Sequence, residues 1–259
     1  PEAFYQPEQI AKWLAGQLGF ETVVYRPRGR GITGRTLVGV QQQSPVQFLE
    51  NGIRFTADVI SGQKTGFFLD QRDNRELVRK LAAGRRVLNL FSFSGGFSVA
   101  AGMGGASSVT SVDIAPQAIA ACQAHWDLNG LDGNIHTAEI ADCFDWLDQA
   151  VRKEVRWDLV ICDPPSFSPS QQTRHSALAA YSKLAQWSCQ LVEPDGLLAL
   201  ASCSSHINPV DFAHANLCGF GRARRLAKLL SQRCLPLDHP TPLAMPELRY
   251  LKFQLFQLK

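Results

Sequence analysis

Residues 86–97 read Arg86-Val87-Leu88-Asn89-Leu90-Phe91-Ser92-Phe93-Ser94-Gly95-Gly96-Phe97. The run over 87–91 has the apolar density of a buried strand. The small residues that follow permit a tight turn and close backbone approach to a ligand before a helix begins. A ligand is therefore expected at this turn. The glycine spacing does not match G-x-G-x-x-G, which disfavours a pyrophosphate cradle.

Working outward, apolar runs alternate regularly: strands over 87–91, 108–113, 134–138, 158–162 and 197–202, separated by helical stretches over 98–102, 116–129, 144–151 and 176–191. Such alternation predicts an α/β fold with a parallel sheet covered by helices on both faces. The long apolar pattern over 248–258 follows a proline-rich stretch rather than a helix, which fits an antiparallel edge hairpin. Upstream lie a short amphipathic helix over 10–18, a strand over 22–25 and a glycine- and arginine-rich mobile loop over 28–35. Strands over 46–50 and 53–59 flank Asn51-Gly52, a strong hairpin signal. Two parts are expected: a small α+β domain over 1–65 and a larger domain over 66–259.

A chain of 259 residues has room for this arrangement, and 45% hydrophobic with 19% charged residues is ordinary for a globular protein. Its longest apolar runs are strand-length, too short for a bilayer, so no membrane span is expected. The bare Pro1 start reads as a trimmed or partial chain, and no basic-then-apolar leader points to secretion. The seven cysteines lack C-x-x-C spacing, so no metal is expected and a reducing cytoplasm is the natural compartment. The net charge of +3 is weak, but arginines cluster at 26, 28, 30 and 35, at 72, 75 and 79, and at 222, 224 and 225. Solvated faces and phosphate contacts are the two readings of such clusters. Oligomeric state, a homodimer included, is left open.

The strand ends carry the chemistry. Asp113 closes the second strand of the alternation, where a carboxylate accepts hydrogen bonds from both ribose hydroxyls of a nucleoside cofactor; a helix cap is the competing role. Beyond the third strand, Glu139 and Asp142 stand where a loop residue reaches an adenine amino group, Asp142 being preferred, again against a cap. The fourth strand ends in Asp163-Pro164-Pro165-Ser166-Phe167, whose prolines restrict the backbone and present their neighbours rigidly, although a plain turn reads the same way. The fifth ends in Ser202-Cys203-Ser204-Ser205-His206, where polar residues replace the apolar run and put a thiol on the edge that carries Asp163. The other six cysteines are read as small apolar residues.

A thiol beside a carboxyl group suits one reaction well. Carbon 5 of cytosine is too weakly nucleophilic to take a methyl group until a thiolate adds at carbon 6, and Asp163 is the group to stabilise the ring edge. A paired base cannot reach such a crevice, so the base must be unpaired or flipped out. Phe93, Phe167 and Tyr181 are stacking candidates, with core packing as the preferred role.

Gln63-Lys64-Thr65-Gly66-Phe67-Phe68-Leu69-Asp70-Gln71-Arg72, together with 90–97, 163–167, 202–204, Asp238-His239-Pro240 and 248–253, resembles the bacterial large-subunit ribosomal RNA cytosine-C5 methyltransferases of the RlmI type. The resemblance covers roughly 45–259. It implies a doubly wound, mostly parallel, seven-stranded Rossmann-like sheet with an antiparallel C-terminal edge, preceded by a small α+β domain. It also implies S-adenosyl-L-methionine as cofactor, held by Phe91, Ser92, Ser94, Gly95, Gly96, Asp113, Ile114, Asp142 and Asp163, with Gln71 alongside. Cys203 matches the family's catalytic cysteine, with Asp163 as the second catalytic group. Pro164, Pro165, Arg72 and Lys64 fall at substrate-binding positions, and RNA is the implied partner. The chain begins where such proteins have already completed a PUA RNA-binding domain, and residues 1–40 match nothing in the family. Ser166 stands where two-cysteine RNA cytosine methyltransferases carry a second cysteine, so a one-cysteine mechanism is implied. The alternatives are a guanine-N7 methyltransferase, whose family shares the Asp163 motif and lacks a cysteine at 203, and an RNA-binding module without turnover. A nicotinamide oxidoreductase is disfavoured by the missing glycine fingerprint.

Overall fold

The computed structural model describes residues 6–27, 33–41, 45–62, 66–167 and 171–259. The chain divides into two compact units, Pro1–Leu69 and Asp70–Lys259.

In the first unit, α1 (Pro7–Leu18) starts with Pro7 in the first turn and stops at Gly19, whose φ of 69° suits a glycine. β1 (Val23–Tyr25) pairs antiparallel with β2 (Arg35–Val38). The stretch expected as loop up to 35 thus ends in a strand at Arg35, while residues 28–32 lie outside the described residues. β3 (Val46–Glu50) and β4 (Ile53–Ala57) form the hairpin predicted around Asn51-Gly52, both of which take positive φ. Phe55 and Phe67 bury their rings here, 4.8 Å apart.

The second unit opens with α2 (Arg72–Leu81), which the apolar periodicity did not predict. Its buried face holds Asn74 and Arg75 beside Val78, so polar residues occupy positions where a hydrophobic stripe was sought. The alternating elements follow in order: β5 (Arg86–Leu90), α3 (Gly96–Met103), β6 (Ser108–Asp113), α4 (Pro116–Leu128), β7 (His136–Ile140), α5 (Cys143–Arg152), β8 (Trp157–Cys162), α6 (Arg174–Gln190) and β9 (Val192–Ser202). β9 begins five residues before the expected 197, because Val192 already pairs with Trp157 and a register irregularity intervenes before Leu197 meets Leu159.

Two elements went unpredicted between β9 and the terminal strand: α7 (Pro209–Ala223) and β10 (Ala227–Arg233). The signal for α7 was present, since Asn208 caps the Asp211 amide at 2.8 Å and Pro209 occupies the first turn. β11 (Lys252–Leu258) then enters antiparallel between β9 and β10. The strand order β10-β11-β9-β8-β5-β6-β7, parallel from β9 through β7, is the expected doubly wound, mostly parallel Rossmann-like sheet with an antiparallel edge.

Strand alternation explains the two helical layers. Leu88 and Leu90 of β5 join the cluster packed by α5, α6 and α7, whereas Asn89, facing the other way, donates to Ser98 Oγ of α3 at 2.8 Å. No described helix is long and apolar enough to cross a membrane.

The arginine clusters are largely committed within the protein. Arg225 holds the Val192, Glu193 and Lys259 carbonyls, Arg222 reaches Ser182 Oγ, and Arg35 pairs with Glu8. Arg72 binds Asp73 and Asp238, and Arg79 lies 3.5 Å from Glu76.

Candidate active site

β5 leads outward to β6 and β7, after which the chain crosses to β8 on the other side of β5. Open α/β sheets bind ligands where strand order reverses in this way, at the carboxyl ends of the strands.

The turn after β5 enters the left-handed region at Phe91 (φ 57°), Phe93 (φ 46°) and Gly95 (φ 76°). Each bulky residue held there costs about 1–3 kcal/mol, so neighbouring structure must impose the shape. It does so from three sides: the Phe91 amide donates to Cys143 Sγ (3.2 Å), the Ser92 amide to the Val112 carbonyl (2.9 Å), and buried His125 meets the Ser94 carbonyl through Nδ1 (2.8 Å). At Gly95, an added Cβ would overlap the Cys122 side chain. The Ser92 and Ser94 hydroxyls are buried without a hydrogen-bond partner, which leaves unmet polar capacity on the turn.

Asp113 is half-buried and accepts from two backbone amides, Phe93 at Oδ2 (2.8 Å) and Ala115 at Oδ1 (2.9 Å). The carboxylate thereby ties the turn to the end of β6. It is not the N-cap of α4, a position held by Ala115 without a side-chain cap. Beside it Ile114 keeps 64% of its surface exposed, an apolar face at a polar crevice. Asp142 does cap α5: its Oδ1 accepts from the Phe144 (2.8 Å) and Asp145 (3.3 Å) amides. Glu139 is engaged with Trp146 Nε1 at 2.8 Å. A carboxylate with spare lone pairs, an exposed apolar side chain and unpartnered hydroxyls fit a nucleoside-type cofactor such as S-adenosylmethionine.

Asp163 and Cys203 follow the adjacent parallel strands β8 and β9. Ser166 Oγ and Ser204 Oγ, 3.1 Å apart, tie the two loops together. Gln71 Nε2 donates to Asp163 Oδ2 (2.9 Å), and Asn74 Nδ2 donates to Gln71 Oε1 (2.6 Å), which fixes the orientation of the Gln71 amide. Pro164 is buried, whereas Pro165 and Ser166 are exposed. Ser202 Oγ donates to Tyr181 Oη at 3.0 Å, and Tyr181 Oη shares a 2.8 Å hydrogen bond with Ser204 Oγ. Burial pushes the Tyr181 phenol up to about 12, so it stays neutral.

Lys252 Nζ donates to the Ser204 carbonyl (2.6 Å) and the Tyr250 carbonyl (2.7 Å), while Tyr250 Oη donates to Asp70 Oδ2 (2.8 Å). Sequence reasoning named none of Asn74, Tyr250, Lys252 and Asp70 for a role. One signal was available for Lys252: it is a lone charge inside the apolar run Leu251 to Leu255.

The remaining predicted residues fall as follows. Arg72 is committed to Asp73 and Asp238, and Lys64 lies outside the described residues. Tyr181 is buried against Phe167 and Phe212, as core packing predicted. Cys122, Cys143, Cys162 and Cys189 are buried; burial pushes Cys122 up to about 11 and Cys143 and Cys189 up to about 12. Cys218 is half-exposed and Cys234 exposed, so these two are not the core residues expected.

Comparison with known proteins adds an independent line. A family profile described as S-adenosylmethionine-dependent methyltransferase matches residues 5–218, so residues 5–40, expected to match nothing, lie inside the matched segment. A ribosomal RNA large subunit methyltransferase of Deinococcus radiodurans is 44% identical over 226 residues, which are 87% of this chain and 55% of that protein. Ribosomal RNA large subunit methyltransferase I of Aeromonas salmonicida is 38% identical over 228 residues, 86% of this chain and 57% of that one. The structure of SMU.776, assigned as a methyltransferase and complexed with SAH, superposes with a TM-score of 0.85 at 31% identity, covering 96% of this chain and 64% of the other. The chain thus spans somewhat more than half the length of the curated relatives it matches.

Proposed function

The chain belongs to the S-adenosylmethionine-dependent methyltransferase family, and from that premise we propose that it methylates carbon 5 of a cytosine in large-subunit ribosomal RNA through a covalent Cys203 adduct. The observation that carries the reading is the juxtaposition of Cys203 and Asp163 at the ends of adjacent strands, their loops joined by the Ser166–Ser204 hydrogen bond. The names of the relatives, ribosomal RNA large subunit methyltransferases, support the choice of substrate.

The bound cofactor supplies a methyl group on a sulfonium. Asp113 binds the ribose diol, Ile114 lies against the adenine, Asp142 serves its amino edge, and Phe91, Ser92, Ser94, Gly95 and Gly96 form the cradle. In the pyrimidine site, the Cys203 thiolate adds to carbon 6 and raises electron density at carbon 5, the atom that takes the methyl group. Asp163, oriented by Gln71, is the carboxyl group that donates a proton to the ring-nitrogen edge as that edge gains negative charge. Loss of the carbon 5 proton then expels the thiolate. Pro164 and Pro165 hold the Asp163 loop rigid against the base, and the small α+β part over 1–65, with Lys64, contacts RNA.

RNA containing 5-fluorocytosine tests this directly, since fluorine blocks the final elimination. With S-adenosylmethionine, the wild-type protein is expected to form a denaturant-stable adduct that Cys203→Ala does not. An adduct that survives the substitution, or 7-methylguanosine in place of 5-methylcytidine in the product, refutes the reading.

A further inference from the structure

Lys252 is the one charged residue in β11, and only 3% of its surface is exposed. Its Cα pairs with Ser202, the last residue of β9, and its Nζ donates to the Ser204 carbonyl, so its two ends engage the residues on either side of Cys203. An ammonium has three donors, and the Ser204 and Tyr250 carbonyls use two. Lys252 forms no ion pair with a carboxylate among the described residues. Burying an ammonium without an anionic partner is expensive, so its retention calls for a counter-charge in the site.

Among the described residues, no carboxylate of the site bonds Lys252. Asp163 takes Gln71 and Asp70 takes Tyr250. Resting on the reading of Cys203 as nucleophile, we propose that Lys252 is a positioning residue that stabilises Cys203 as the thiolate. The thiol proton leaves to solvent while Lys252 keeps its own; the lysine supplies charge and accepts nothing.

The phenols of Tyr181 and Tyr250, which also face Cys203, are both pushed upward by burial and stay neutral, so they add no charge to the site. Burial lowers Lys252 to about 8, and a negative charge on Cys203 acts in the opposite direction. Cation and thiolate therefore stabilise each other, as at other activated cysteines.

The test reads ionisation rather than turnover. In a background where the accessible Cys218 and Cys234 are serine, iodoacetamide alkylation of Cys203 is followed by mass spectrometry from about pH 6 to about pH 10, where free thiols titrate near 8.5. The wild-type midpoint is expected about one unit or more below that value. Lys252→Met is expected to raise the midpoint by about one unit, roughly a tenfold loss of thiolate at neutral pH, and Lys252→Arg to keep it low. A wild-type midpoint at or above about 8.5, or one unmoved in Lys252→Met, overturns the proposal. If Lys252→Met does not fold, as judged by SAH binding and a cooperative melt, the wild-type midpoint and Lys252→Arg decide alone. Trapping with 5-fluorocytosine RNA keeps the two claims apart: a normal adduct with an unmoved midpoint overturns only the role of Lys252, whereas no wild-type adduct with a depressed midpoint overturns only the cytosine reading.

Discussion

Gly95→Ala attacks the cofactor turn at its most constrained point. Gly95 has φ 76°, and an added Cβ would lie 2.9 Å from Cys122 Cβ and 3.1 Å from Cys122 Cα, closer still to the sulfur. The left-handed conformation costs an alanine about 1–2 kcal/mol, and overpacking of a buried site costs about 1–3 kcal/mol, so a total of roughly 2–5 kcal/mol is expected. Cys122 is fully buried in α4 and has no room to retreat. Urea unfolding followed by tryptophan fluorescence gives the stability, and SAH titration gives the effect on the turn, which is expected to weaken binding. Cys122→Ala removes the sulfur, the atom of worst overlap, and leaves the backbone conformation alone. In the double-mutant cycle the pair should therefore show a favourable coupling of about 1–2 kcal/mol, with the conformational cost remaining. Wild-type stability and SAH affinity in Gly95→Ala would refute the account of the turn. Zero coupling with Cys122→Ala would refute the steric half of it.

Two further outcomes follow from the geometry. Asp142→Ala should cost about 1 kcal/mol through loss of the α5 cap, whereas Asp142→Ser should keep the cap; unchanged SAH affinity in Asp142→Ser would rule out a contact between Asp142 and the cofactor. His136 bonds Ser111 Oγ through Nε2 at 2.9 Å and stacks on Trp126, and burial lowers it to about 4, so between pH 6.5 and about 4 the unfolded chain binds a proton that the folded one does not. Its contribution is present above pH 6.5 and lost as pH falls toward 4, about 1–2 kcal/mol once the partial exposure of the ring is discounted; identical pH dependence of the urea midpoint in wild type and His136→Gln would contradict this.

Much of the fold was legible because its signals are local. Alternating apolar runs mark β5 to β9, strand ends locate Asp113, Asp163 and Cys203 on one edge, and Asn51-Gly52 marks a turn whose geometry few other residue pairs accept. α2 escaped because its inward face buries Asn74, whose Nδ2 donates to Gln71, and Arg75, polar residues that hydrophobic periodicity cannot register. α7 escaped for a weaker reason: Asn208, Pro209 and Asp211 did carry a start signal.

By itself, then, the amino-acid sequence determined the alternation, the sheet edge and the residue types gathered there, since periodicity and turn chemistry act over a few residues. Only the tertiary structure decided which charges are engaged. Arg222 and Arg225, legible as a phosphate-binding cluster, are held by Ser182 and by backbone carbonyls. Lys252, legible as an odd charge in an apolar strand, arrives beside Cys203 because β11 pairs with β9 across some fifty residues of chain. Whether a charge is solvated, neutralised or left to act on a neighbour depends on partners that meet only after folding, and no local pattern encodes them.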